Sequence, residues 1–344
     1  MSHPLEESTA AGTPPTGGSG GGSLARAELH RLTARRLVRW LVVLSALGFL
    51  AVWVISLTQF ARPSPELLQE AEQRRAQLVE QEREVFCGDG DPGLPEEERE
   101  AICADISAEN YGPVESFLPK QPFDAAGGLP GGAIAVGVAV SALAFLVGAT
   151  YAGAEWSTKS IVALLFWEPR RIRVFLTKLA VLLGVVAVFA ALAQLVWLGA
   201  GSLLARWRGS FELPDGFWSD LAGVQGRGVV LAVLTAALGF GLANLIRNTG
   251  AALGVAFAYF VLAENAVRII RQSWQPYLIT ENAVALLQRG GLEIFLPVEE
   301  SGEYFGGATP RLLLGNQRAA LTLAVYCLVV LLAGVVLFRR RDLT

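Results

Sequence analysis

The chain has 344 residues, of which 53% are hydrophobic and only 17% charged, and its mean hydropathy is +0.45. That balance belongs to membrane proteins. It excludes a nucleic-acid binder, because a net charge of -3 with scattered Lys and Arg offers no basic surface. The three cysteines and two histidines form no CxxC or Cys/His spacing, so no metal centre is expected.

Residues 1–36 are expected to form a disordered, basic segment. Gly, Ser and Pro dominate up to Ser23 and leave little to bury. The GGSGG tract there matches G-x-S-x-G by chance, since that pattern means a nucleophile elbow only between a strand and a helix. No short apolar core with a small-residue cleavage site opens the chain, so no signal peptide is expected. Arg26, Arg31, Arg35, Arg36 and Arg39 then precede the first uncharged run, Trp40 to Ala61, and basic residues before a first span hold the N-terminus in the cytoplasm.

Residues 62–131 therefore fall outside, as a helical insertion that carries about half of the 31 acidic residues. Pro65 to Phe86 reads as a strong helix, and Cys87 and Cys103 are placed to staple a small cap in an oxidising exterior. A second run, Ala133 to Gly153, returns the chain inward. Later runs at 179–205, 228–246, 250–270 and 319–338 complete six spans and leave the C-terminus inside with the N-terminus. Residues 271–318 form a second long external loop. Its apolar patches, Ala283 to Leu287 and Leu292 to Pro297, are too short to span and read as short helices.

Between the second and third runs lies EWSTKSIVALLFWEPRRIRVFLTK, from Glu155 to Lys178. Its five Lys and Arg exclude it from the bilayer centre, where each would cost about 2.5–3.5 kcal/mol. Ser157 or Thr158 suits the cap of a short helix through Phe166, flanked by Trp156 and Trp167, and Pro169 breaks the helix at Glu168. The expected product is an interfacial elbow on the cytoplasmic surface.

Catalytic material is scarce. The sequence contains neither G-x-x-x-x-G-K-[ST] nor H-E-x-x-H, and neither histidine falls in a span, so this chain is not expected to be an enzyme. The polar residues expected within spans are Gln194, Asn244, Glu264, Asn265 and Arg268. Glu264 and Arg268 are four apart, in the favourable order for a pair that either lines a substrate path or braces the fifth span. Asn244 and Gln194 read as glue between helices, and Gly239, Gly241, Gly250 and Gly254 as sites of close helix packing or dimerisation.

The segment from Gly153, with Glu155, Pro169, Arg170, Arg171 and Lys178, resembles the region after the second span in permeases of the ABC-2 type exporter family, particularly actinobacterial ones. The six spans, the long loops after the first and fifth, and the FRRRDL ending are similar too. The resemblance implies an all-α membrane protein of the bacterial plasma membrane, with one permease domain over 37–344. It also implies pairing with a second permease subunit as homodimer or heterodimer. ATP and magnesium would then be bound by separate ABC ATPase subunits and none by this chain. Glu155, Trp156, Lys159, Trp167, Glu168, Pro169, Arg170, Arg171 and Arg173 would couple to those ATPases. The residues alone leave another reading open, a non-transporting scaffold or sensor whose stapled cap binds a partner.

Overall fold

The computed structural model describes residues 20–87, 96–158, 160, 170–295 and 311–340. Six of its helices are long and apolar enough to cross a membrane: α2 (Arg36–Gln59), α5 (Ala125–Ser157), α6 (Arg171–Arg208), α7 (Phe217–Ile246), α8 (Thr249–Ile270) and α10 (Asn316–Arg340). The chain is thus a mostly helical, multi-pass membrane protein. Preceding them is α1 (Gly20–Ala34), while α3 (Pro65–Cys87) and α4 (Glu96–Asp105) follow α2, and α9 (Ile279–Leu287) precedes α10. The helices overrun the uncharged runs that mark them in the sequence. At 38 residues α6 is about 57 Å long against about 30 Å of hydrocarbon, because helical hydrogen bonding continues past the apolar stretch into the polar ends.

Helices α5 and α7 form the centre. Their backbones touch where glycines remove the side chain: a β-carbon at Gly148 would lie 2.3 Å from the carbonyl oxygen of Ala236, and one at Gly239 would lie 2.4 Å from that of Phe145. Gly241 similarly abuts Val330 and Leu331 of α10, whereas Gly254 has nothing within 4 Å in this chain. Tyr151, Phe240, Phe175 and Leu182 fill the space around the contact. Helix α2 has no buried residue and meets the bundle through Trp53, whose indole N–H donates to Ala200 at 3.1 Å. Most of its Leu and Val side chains face outward, as suits lipid, while Val38 and Leu57 pack on the bundle.

Two caps order the chain reversals. The Asp124 carboxylate accepts from the N–H groups of Ala126 and Gly127 and starts α5. Asn248 does the same for α8 after Arg247, whose φ of 62° ends α7 in the left-handed region.

Two expectations are corrected. Residues 20–34 are helical rather than disordered, because Leu32 and Glu28 are buried against the bundle. The all-α membrane class holds, with two short strand pairs added: β1 (Phe123–Asp124) pairs in parallel with β2 (Gly209–Ser210), and β3 (Leu292–Phe295) pairs antiparallel with β4 (Arg311–Leu314). The patch from Leu292 is therefore a strand over its described part. Ile294 points in and its neighbours Glu293 and Phe295 out, after two glycines at φ 82° and 101° have broken the helical path. The Ala283–Leu287 patch is helical within α9, as expected. In the acidic insertion Cys87 and Cys103 are disulfide-bonded, with Cα atoms 5.7 Å apart, and apolar side chains such as Ala71, Val79, Ile106 and Leu118 are buried.

Candidate functional site

The segment expected to form the elbow joins α5 to α6, and Lys159, Trp167, Glu168 and Pro169 lie outside the described residues together with the expected short helix. The stems themselves are well defined. Glu155 is on the last turns of α5 and is only 7% exposed, while Lys178 is two turns into α6 and 4% exposed. The ammonium of Lys178 donates to Glu155 Oε1 at 2.8 Å and to Glu28 Oε2 of α1 at 2.7 Å. Arg35, in the break between α1 and α2, donates to Glu155 Oε1 at 3.0 Å and to the Thr150 carbonyl at 3.0 Å. The Tyr151 hydroxyl donates to Glu28 Oε2 at 2.6 Å, and Arg35 and Lys178 lie 4.8 and 5.1 Å from its ring centre.

Two carboxylates are thus matched by Lys178 and Arg35, with Arg31 reaching Glu28 from the surface at 3.2 Å. Full desolvation would raise the Glu28 carboxyl, but the charge of Lys178 and the hydrogen bonds from Lys178 and Tyr151 outweigh it and hold the group below the usual carboxylate range. Pairing of this completeness is what makes such burial tolerable.

The other elbow residues engage the same end of the bundle. The Trp156 indole donates to Asn244 Oδ1 of α7 at 3.2 Å, meets the Phe338 ring of α10 edge-on at 5.7 Å, and carries the Arg247 guanidinium 4.5 Å over its face. Arg171 donates to the Phe338 carbonyl at 3.3 Å. Arg170 is exposed and Arg173 half-buried. The end of α5 and the start of α6 are therefore tied to α1, α7 and α10, and Gly153 packs directly on Thr249 of α8.

Elsewhere the spans hold polar groups apart from this cluster. Asn244, which accepts from Trp156 of α5, also donates to the Phe240 carbonyl at 2.8 Å within α7. Buried Gln194 of α6 donates to Ala133 of α5 at 3.0 Å, while its Oε1 has no partner among the described residues. Glu264, fully buried, pairs with Arg268 at 3.3 Å and accepts from the Thr280 N–H at 3.1 Å and from the Thr280 hydroxyl. Arg268 also reaches Glu281 of α9 at 3.0 Å, so this pair braces the loop end of α8, directly after a π-helical turn over Tyr259–Ala263. Asn265 is exposed and bonds within its own helix.

Among the described residues no three His, Cys, Asp or Glu side chains come together to hold a metal ion. Sequence reasoning missed Glu28, Arg35 and Tyr151 as members of the site. The available signal was Glu28 itself, an acidic residue in an otherwise basic stretch that leads into a span. No protein-family model matches this chain, and no curated protein matches it.

Proposed function

We propose that this chain is the permease subunit of an ABC-2 type exporter in a bacterial plasma membrane, with both termini cytoplasmic. Two such subunits would pair and be driven by separate ATPases that dock on the elbow. The observation that carries this reading is the wiring of the elbow's stems. Glu155 and Trp156 on one side and Arg171 and Lys178 on the other bond to α1, α7 and α10. A push on the elbow would be transmitted to several spanning helices at once, as a rigid-body rearrangement around a cavity requires. Exposed Arg170 is placed for contact with a partner. Glu155, whose side chain is buried, would act by holding the stem.

The test is a mild-detergent pull-down of the full chain from its native membrane, followed by an ATPase assay on the recovered material. Recovery of an ABC ATPase whose rate falls when Arg170 is reversed to Glu is the expected result. Recovery of no nucleotide-binding partner would overturn the reading in favour of a scaffold or sensor built on the disulfide-stapled insertion.

A further inference from the structure

The buried charges define a latch as well as a brace. A single residue separates α1 from α2, and among the described side chains of α1 Glu28 and Leu32 are the fully enclosed ones. The Glu28 carboxylate does not bond to one stem of the elbow alone. It meets Lys178 of α6 and Tyr151 of α5, while Lys178 simultaneously holds Glu155 of α5. One ammonium is therefore shared by the N-terminal helix and by the far stem. Arg35, the hinge residue between α1 and α2, closes the circuit by binding the same Glu155 oxygen as Lys178. Leu32 packs into the cluster that contains Phe175, Tyr151 and Leu182 from both stems.

We infer that α1 is a positioning element for the elbow: docked through Glu28 and Leu32, it sets the separation between the end of α5 and the start of α6, and undocked, it lets them spread. Glu28, Arg35 and Tyr151 are the positioning residues. The arrangement makes the two ends of the shared bond unequal. Loss of Glu28 leaves Lys178 paired with Glu155. Loss of Lys178 leaves the carboxylates of Glu28 on α1 and Glu155 on α5 facing the same vacated space, an arrangement that pushes α1 off α5 and so lets the stems spread. The inference does not depend on transport or on any ATPase.

Two measurements on the full chain in lipid nanodiscs, in a Cys327→Ala background that keeps the native disulfide, test it. The first is the thiol-labelling rate of Leu32→Cys, a position sealed when α1 is docked. Glu28→Gln is expected to raise that rate about tenfold, the effect of losing a hydrogen bond between charged groups. The second is the distance distribution between spin labels at Thr158 and Ile172, exposed positions on the two stems.

It should be narrow in the parent, broader in Glu28→Gln and broadest in Lys178→Met. Adding Glu28→Gln to Lys178→Met should narrow it again, because one of the two opposed charges is gone. A faster labelling rate with unchanged stem distances would overturn the positioning role and leave α1 merely docked. Absence of narrowing in the double variant would overturn the shared-charge account.

Discussion

Replacing Gly148 by Ala tests the contact on which the elbow end is built. A β-carbon there would sit 2.3 Å from the Ala236 carbonyl oxygen and 3.1 Å from the Phe240 nitrogen. Both are backbone atoms of α7, so no side chain can rotate aside. An ordinary carbon-to-oxygen contact of about 3.3 Å requires the helices to part by about 1 Å. A gap of that size forfeits roughly a quarter to a half of the dispersion energy of the atoms lining it. We expect a loss of about 3 kcal/mol, the upper part of the range for overpacking.

The displacement should also reach the site, because Ala152 and Glu155 lie four and seven residues on along the same face of α5. Gly184→Ala is the matched control. It has nothing within 4 Å, so alanine should add about 0.5–1 kcal/mol of helix stability. Thermal unfolding of both variants in nanodiscs should move the midpoints in opposite directions. A Gly148→Ala protein that melts at or above the parent would refute the close-packing argument.

Cys87→Ser should cost about 3 kcal/mol, confined to the insertion, since the closed loop spans a sequence separation of 16. A membrane-impermeant protease should then cut α3 and α4 while the spans stay intact, and unchanged digestion would refute this. Gln194→Leu removes a buried oxygen that has no partner among the described residues along with one hydrogen bond, so stability should stay within about 1 kcal/mol of the parent. A much larger fall in the melting midpoint would show that the amide is structurally required.

Acid should release α1. The Glu28 carboxyl is held below its ordinary 4.5 in the folded chain, facing Lys178, Tyr151 and Arg31, with Arg35 and Glu155 behind them. Its contribution to docking is therefore complete above 4.5 and lost as pH falls through the lower folded value. Measured relative to Leu29→Cys, an exposed position on α1 whose thiolate fraction falls equally with pH, Leu32→Cys labelling should gain in that acid range, and the gain should vanish when Glu28→Gln is added.

Much of the bundle was legible because six runs, five of them uncharged, are long and apolar enough to span a membrane. Helix ends were read short, since hydropathy stops where charges begin and hydrogen bonding does not. Helix α1 was invisible for a related reason. It starts in glycines and carries basic residues, and only Glu28 and Leu32 reveal an inward face once their partners, more than 100 residues away in Tyr151 and Lys178, are in place. Strand β3 was misread because an apolar patch of four residues carries no period long enough to separate helix from strand. At the site, Glu155 and Lys178 stood out as charges beside apolar runs. Their pairing across the elbow is a tertiary fact that no local spacing encodes.

That pairing changes how the elbow can be interrogated. Glu155 serves Lys178 at 2.8 Å and Arg35 at 3.0 Å from one oxygen. Truncating it to Ala strips both cations of a buried partner, and breaking such a pair from one side costs about 3–5 kcal/mol. The lower end applies, because Lys178 keeps Glu28 and Arg35 keeps the Thr150 carbonyl. A Glu155→Ala protein that loses ATPase coupling would thus have lost its stem geometry as well, and the two causes would be inseparable. Arg171 is equally unsuitable, being bonded to the Phe338 carbonyl.

Arg170 is exposed at the start of α6, and its reversal to Glu should leave the melting midpoint within the small range of surface substitutions, about 0.5 kcal/mol. Coupling lost in Arg170→Glu at parental stability would identify a contact with the partner. Coupling retained in Arg170→Glu but lost in Glu155→Ala together with stability would show that the elbow needs its shape and not its surface charge.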